Sequence, residues 1–91
     1  MIIYKYQVEL GQFSISMPMG AKILCTKWRY QSPQMWALVP DPDSSLLERR
    51  DFRVFATGEH IPEEEYGSVI YIGTFFTPNN VFVWHLFEVI T

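Results

Sequence analysis

Two short segments of the chain combine cations with aromatic rings. They are KWRY at 27–30 and ERRDFR at 48–53. Arginine beside tryptophan or tyrosine anchors many protein interfaces, and it also suits a nucleotide whose base stacks on a ring while arginine holds the phosphate. The alternative is that the tryptophan is core and the cations only protect a sheet edge. We predict a partner-binding surface formed by Trp28, Arg29, Arg49, Arg50 and Arg53.

An acidic segment follows the second of these clusters. It contains one histidine close to three consecutive glutamates. A histidine among carboxylates can bind a metal, but a zinc site normally takes at least three well-fixed protein ligands. We therefore expect no metal and interpret the segment as a solvated loop that offers a second partner-binding surface: His60, Glu63, Glu64 and Glu65.

The sequence contains no recognisable catalytic constellation. Consecutive glutamates lack the fixed separation that paired acid–base catalysis requires, and no serine lies in a G-x-S-x-G motif. No glycine-rich phosphate loop is present, and His85 sits between Trp84 and Leu86 in an apolar run that predicts a structural histidine. We expect a protein without catalytic residues or cofactor, and not an enzyme.

Charge and cysteine content narrow the classes of partner. Seven basic and ten acidic residues give a formal net charge of −3, which disfavours a nucleic-acid coat because such a coat needs a basic face. Cys25 is the single cysteine, predicted to be a small buried hydrophobe in a reducing compartment. No stretch approaches the roughly 20 apolar residues of a membrane helix, and no signal-peptide pattern opens the chain. We expect a cytoplasmic protein that binds neither nucleic acid nor membrane.

The elements that must position the candidate binding residues are aromatic and β-branched runs separated by Gly, Pro, Asn and Asp. They predict one all-β domain over residues 1–91, a small antiparallel sandwich or open barrel of about six to seven strands with at most one short helical turn. Alternation in 4–10 and 13–17 favours a hairpin turning at Gly11, and the runs 69–76 and 81–89 predict a second hairpin.

Two long loops interrupt the strands, at 40–50 and 59–67. Residues 46–50 could close one helical turn or simply extend the first loop. The last two strands carry apolar residues on both faces, so part of that surface could be covered by another sheet and part by a partner chain. A homodimer is therefore a further possibility.

The order MIIYKY, MPMGAKIL, MWALVPDP, FRVFATGEHIP, YIGTFF and VWHLFE resembles a small domain-of-unknown-function family encoded by tailed phages and prophages. The resemblance implies a phage accessory protein acting in the bacterial host cytoplasm. Such a protein would act by binding and inhibiting a host protein, such as a component of antiviral defence. Alternatives are an oligomeric sponge for a nucleotide second messenger and a minor virion or assembly component.

Overall fold

Seven strands and one short helix account for most of the residues 1–90 that the computed structural model describes. All pairings are antiparallel, in a three-stranded sheet A with the order β1-β4-β3 and a four-stranded sheet B with the order β2-β5-β7-β6. The all-β prediction is confirmed, and the sheets do not close into a barrel. The elements are β1 Ile2–Gln7, β2 Gln12–Pro18, β3 Lys22–Arg29, β4 Ser32–Val39, β5 Leu47–Ala56, α1 Glu63–Tyr66, β6 Val69–Phe76 and β7 Val83–Val89.

The main core lies between the two sheets and follows the alternation of the strands. In β4, Met35, Ala37 and Val39 are fully buried, and in β5 Phe52 and Val54 occupy the equivalent inward positions. Side chains of a strand alternate between its two faces, so the residues between these positions point away from the core. Burial of a large apolar side chain contributes about 1.5–3 kcal/mol, which makes this alternation the main determinant of the fold.

The predicted hairpin of the first two runs is wrong, whereas the last hairpin is confirmed. β1 pairs with β4 and β2 pairs with β5, so the two runs belong to different sheets. Val8 is buried in the main core, and the chain turns after it through Gly11 at φ 90°. Crossing between sheets lets both strands place apolar residues on one shared core. β6 and β7 pair directly, and Thr77 donates its backbone N–H to the carbonyl of Phe82 across their connection.

The segment 46–50 neither closes a helical turn nor extends the first loop, because residues 47–50 belong to β5. β5 pairs with β2 over residues 47–53 and with β7 over residues 51–56. Pairing satisfies its backbone groups along the strand, whereas one helical turn would leave most of them free. The single helical turn lies instead in the acidic segment, where Glu63–Tyr66 follows Pro62.

A β-bulge in β3 determines which residues reach the surface. The register shifts between Ile23 and Cys25, so Ile23 and Thr26 both face the core although three positions separate them. Cys25 pairs with the outward-facing Trp36 and is exposed, so its predicted burial is wrong. The burial was inferred from residue type, since free cysteine is usually buried, whereas the position next to the inward-facing Thr26 places Cys25 on the outer side.

Part of the apolar surface on the outer side of sheet B is covered by the chain itself. Phe55 is 1% exposed although it points away from the main core. It contacts Phe87 in an edge-to-face arrangement with ring centroids 5.6 Å apart, and Tyr71 packs on Phe87 in the same way at 5.5 Å. Arg53 lies over the Phe55 ring.

Candidate binding surface

The predicted cationic–aromatic surface is divided between the two sheets. Trp28 and Arg29 lie at the end of β3 in sheet A, whereas the three arginines lie in β5 of sheet B. Within β5, Arg50 faces the inter-sheet side, and Arg49 and Arg53 face outward, as their strand partners show. The five residues therefore do not form one continuous surface.

Arg50 is held in internal ion pairs. Its side chain is 16% exposed, and its guanidinium donates hydrogen bonds to both carboxylate oxygens of Glu88, with a distance of 2.9 Å from Nη2 to Oε1. Nη1 donates to the carbonyl oxygen of Ala21 at 2.7 Å and to Glu48 at 3.3 Å. The hydrogen bonds to Glu88 raise the pKa of Arg50 above its ordinary value. This geometry gives Arg50 a structural role and leaves little of it for a partner.

Arg53 joins the second half of β5 to the acidic segment. Its guanidinium carbon lies 4.3 Å from the centroid of the Phe55 ring. Nε donates to Glu65 at 3.1 Å and Nη2 to Glu59 at 3.2 Å. The two surfaces predicted from the sequence thus meet here, and their charges neutralise each other.

The rest of the acidic segment is open to solvent. His60, Glu63 and Glu64 are exposed, and none of the salt bridges among residues 1–90 involves them. In the same part of the chain, no group of three His, Cys, Asp or Glu side chains is placed to hold a metal ion.

Arg49 is the accessible cation of β5. Its side chain is 73% exposed and donates to Asp51 at 2.9 Å and to Ser14 at 3.2 Å. The Ser14 hydroxyl donates to the Asp51 carboxylate at 2.6 Å. This hydrogen bond makes the largest contribution to lowering the pKa of Asp51, and the hydrogen bond from Arg49 makes the next largest. Surface pairs of this kind contribute little to stability, so Arg49 is free to exchange partners.

Trp28 belongs to the fold. Its ring is half-buried against the main core, with its centroid 6.4 Å from that of Phe75. Its Nε1 donates to the carbonyl oxygen of Tyr30 at 3.1 Å. The neighbouring Arg29 points to the opposite, outer side of sheet A and is exposed.

The outer face of sheet A gathers the four remaining cations of the chain. Paired strand residues point to the same side of a sheet, and Trp36 at the centre of β4 is opposite Lys5 of β1 on one side and Cys25 of β3 on the other. The same pairing places three further cations of β3 on this side. We call this surface the basic face and define it by Lys5, Lys22, Lys27, Arg29 and Trp36.

Nothing on sheet A neutralises the basic face. β1, β3 and β4 contain no Asp or Glu, so all ten carboxylates of the chain lie outside sheet A. The salt bridges within residues 1–90 involve only arginines of β5. A protein with a net charge of −3 therefore has one sheet whose charged residues are all positive.

A shallow hollow lies beside the central tryptophan. It has a volume of about 340 Å³ and is lined by Cys25, Lys27, Arg29 and Trp36. An indole ring next to two cations can contact a flat or apolar group while the cations bind an anion.

Tyr30 adds an exposed aromatic ring at the end of the basic face. It occupies the turn between β3 and β4 with φ 59°, a conformation that disfavours a bulky side chain. The ring is 78% exposed, and the Arg29 guanidinium lies 5.1 Å from its centroid. A hydrogen bond from Arg29 lowers the pKa of the Tyr30 hydroxyl. A strained, exposed ring of this kind is typical of functional positions.

Sequence reasoning found only Arg29 of the basic face. It missed Lys5, Lys22, Lys27 and Trp36, because these come together only when β1 and β3 pair with β4 on either side. One signal was available, since the sequence from Leu10 to Pro40 contains no acidic residue.

His85 has partners for both ring nitrogens, in agreement with the predicted structural role. Nε2 lies 2.7 Å from the Thr57 hydroxyl and Nδ1 lies 3.0 Å from that of Thr74. The Thr74 hydroxyl is in turn 2.6 Å from the Tyr71 hydroxyl. This network fixes the orientation of the ring across β6 and β7.

No helix in the described part of the chain is long and apolar enough to cross a membrane. No curated protein and no solved structure matches the chain. A family described as a domain of unknown function, DUF7352, matches residues 1–91. The match covers the whole chain, and the protein therefore belongs to the DUF7352 family of domains of unknown function.

Proposed function

We propose that this domain acts by binding a protein partner that presents an acidic segment to the basic face. The observation that carries the proposal is the concentration of four cations, none in a salt bridge within residues 1–90, on a sheet without a carboxylate. Positive charge collected in this way attracts and orients an oppositely charged partner.

The dimensions of the face favour a narrow partner element. Neighbouring strands are about 4.8 Å apart, so the three strands span roughly 10 Å from β1 to β3. One extended strand or one helix of a partner fits across this width. Each exposed ion pair contributes about 0.2–1 kcal/mol, so four pairs give on the order of 1–4 kcal/mol. The half-buried Trp36 adds apolar contact at the centre, where interface energy usually concentrates.

We also propose a more specific role, which rests on the resemblance of the sequence to a phage-encoded family. If the domain is a phage accessory protein, its partner is a host protein, and binding inhibits that protein in the bacterial cytoplasm. A component of antiviral defence is the kind of target that we propose. The resemblance of the sequence to phage-encoded relatives supports this step, and the basic face supplies the means of binding.

A pair of charge-matched variants tests the proposal. Lys27→Glu reverses one charge on the basic face, and Arg49→Glu reverses one exposed charge on sheet B with the same change in net charge. Tagged wild type and both variants are used to capture proteins from infected host cells, followed by mass spectrometry. We expect one stoichiometric partner with an acidic surface, retained by Arg49→Glu and lost with Lys27→Glu. Equal capture by the two variants would contradict the proposal.

A second candidate is the sequestration of a nucleotide second messenger. The hollow of about 340 Å³ beside Trp36, with Lys27 and Arg29 at its edge, favours it, since small-molecule sites usually begin near 300 Å³. Thermal unfolding with cyclic nucleotides separates the candidates, because a ligand that binds only the folded state raises Tm. An unchanged Tm at high concentrations of these nucleotides would contradict the second candidate, and protein binding would then be the one remaining proposal.

A further inference from the structure

β1 is an edge strand whose outer backbone groups have no partner within residues 1–90. Its sheet order is β1-β4-β3, so it pairs on one side only. Just after β1, Val8 donates its backbone N–H to the carbonyl of Pro33, at 3.1 Å, in continuation of the β1–β4 register. Backbone groups of successive strand residues point to alternate sides. Those of Ile3, Lys5 and Gln7 therefore point away from β4, toward the free edge.

The other edges of the two sheets carry protective features, and β1 does not. β3 and β6 each contain a β-bulge, and they lie against each other. β2 ends in Pro18, which has no N–H to donate. β1 has six regular residues, no proline and no bulge, and Lys5 is its single charge. A regular edge of this kind is a template for pairing with another strand.

Apolar side chains of β1 are also left uncovered on the core side. Ile2 and Tyr4 are opposite Val39 and Ala37, and they point to the same side of sheet A as those two residues. Val39 and Ala37 are fully buried, whereas Ile2 is 44% and Tyr4 37% exposed. The main core thus ends one strand short of the edge of sheet A. An additional strand beside β1 would cover these side chains.

We propose that β1 pairs antiparallel with β1 of a second copy of this chain, about a two-fold axis at Tyr4. The register follows from the edge itself. Ile3 faces Lys5 of the second copy and Lys5 faces Ile3, so both pairs use outward backbone groups and each exchanges two hydrogen bonds. A register centred on Lys5 would place two lysines directly opposite each other, which is unfavourable.

This dimer has one continuous six-stranded sheet in the order β3-β4-β1-β1-β4-β3. The two basic faces lie side by side on one surface of that sheet, and Ile2 packs beside Tyr6 of the second copy on the core side. A second copy is favoured over another partner because the register is self-complementary and leaves no cation opposite a cation. The inference stands independently of the proposed function, because it rests on the free edge of β1 and not on the binding of an acidic partner.

Register-specific disulfide crosslinking tests the dimer. In a Cys25→Ser background, Tyr4→Cys places the two introduced thiols at a non-hydrogen-bonded pair, where Cα atoms are about 4.5 Å apart and a disulfide can close. Tyr6→Cys is the matched control, since it would lie four residues from its own copy, at roughly 13 Å. We expect rapid oxidation of Tyr4→Cys to a covalent dimer and none for Tyr6→Cys. Equal crosslinking of both variants, or of neither, overturns the inference.

The mass of the uncrosslinked protein in solution provides the second test. By light scattering on a size-exclusion column, the wild type should have twice the mass of one chain. Ile3→Pro removes a free-edge donor without touching the β4 ladder and should give a folded monomer, with Ile3→Val as the dimeric control. A wild type that stays monomeric at all concentrations, or an Ile3→Pro variant that stays dimeric, overturns the inference.

Discussion

The ion pairs of Arg50 provide a test of whether this residue supports the fold or contacts a partner. The substitution Arg50→Met keeps most of the apolar stem and removes the charge. Glu88, whose side chain is 18% exposed, is then left without its guanidinium partner. Removal of one partner costs about 3–5 kcal/mol for a buried pair and about 0.2–1 kcal/mol for an exposed pair.

Since the Arg50 and Glu88 side chains are 16% and 18% exposed, the loss of stability should be nearer to the value for a buried ion pair than to that for an exposed one. We expect Arg50→Met to lower the free energy of unfolding by about 2–4 kcal/mol, a large fraction of the roughly 5–14 kcal/mol available to a domain of 91 residues. The double variant Arg50→Met/Glu88→Met should recover most of the loss, because it leaves no uncompensated charge.

Guanidinium chloride unfolding, monitored by tryptophan fluorescence, measures all four members of the double-mutant cycle. A coupling free energy of about 2 kcal/mol between Arg50 and Glu88 is the expected result. If Arg50→Met unfolds within about 0.5 kcal/mol of the wild type, or if the double variant is no more stable than the single variant, the structural role assigned to Arg50 is refuted.

Three further predictions concern the turn, the sheet contact and an exposed carboxylate. Tyr30→Asn should raise Tm by a few degrees, because Asn tolerates positive φ, and should weaken partner binding; a lowered Tm would contradict the strain argument. Gly73→Ala should lower the free energy of unfolding by about 1 kcal/mol, because a Cβ there would lie 3.0 Å from the Thr26 Cγ2. If that contact is the cause, adding Thr26→Ser, which removes Cγ2, should restore the lost stability in the double variant. The hydrogen bond from Ser14 lowers the pKa of Asp51 in the folded protein. The ionised Asp51 carboxylate therefore makes a small contribution to stability above its unfolded-state pKa near 3.8, and this contribution is lost as pH falls through the folded-state pKa. Unfolding curves at descending pH should show that loss in the wild type and not in Asp51→Asn.

Local pattern was sufficient for the fold class and for the elements whose partners are adjacent in sequence. The β6–β7 hairpin was predictable because both strands and their turn lie within 69–89. The pairing of the strands on either side of Gly11 was not predictable, because a glycine permits a turn without specifying which strands pair across it. Burial of Cys25 was misjudged for a different reason, since free cysteine is usually buried, but this one pairs with Trp36 on the outer side of sheet A.

The candidate site was predictable only in part, because its residues come from three strands. Arg29 was found because it stands beside aromatic residues, which is a local signal. Lys5 and Lys27 share a surface only through the pairing of β1 and β3 with β4, which no local pattern encodes. The arginines of β5 were identified by a local signal, which does not show that carboxylates of β7, the following loop and α1 engage Arg50 and Arg53.

Binding of a fluorescent oligoglutamate peptide, measured by anisotropy at low ionic strength, tests the central claim most directly. The wild type and Arg49→Glu should bind the peptide with affinities within about twofold of each other, whereas Lys27→Glu should bind roughly 5- to 30-fold more weakly, equivalent to about 1–2 kcal/mol. Added salt should weaken binding of the wild type. If Arg49→Glu weakens binding as much as Lys27→Glu does, the basic face of sheet A is not the binding surface.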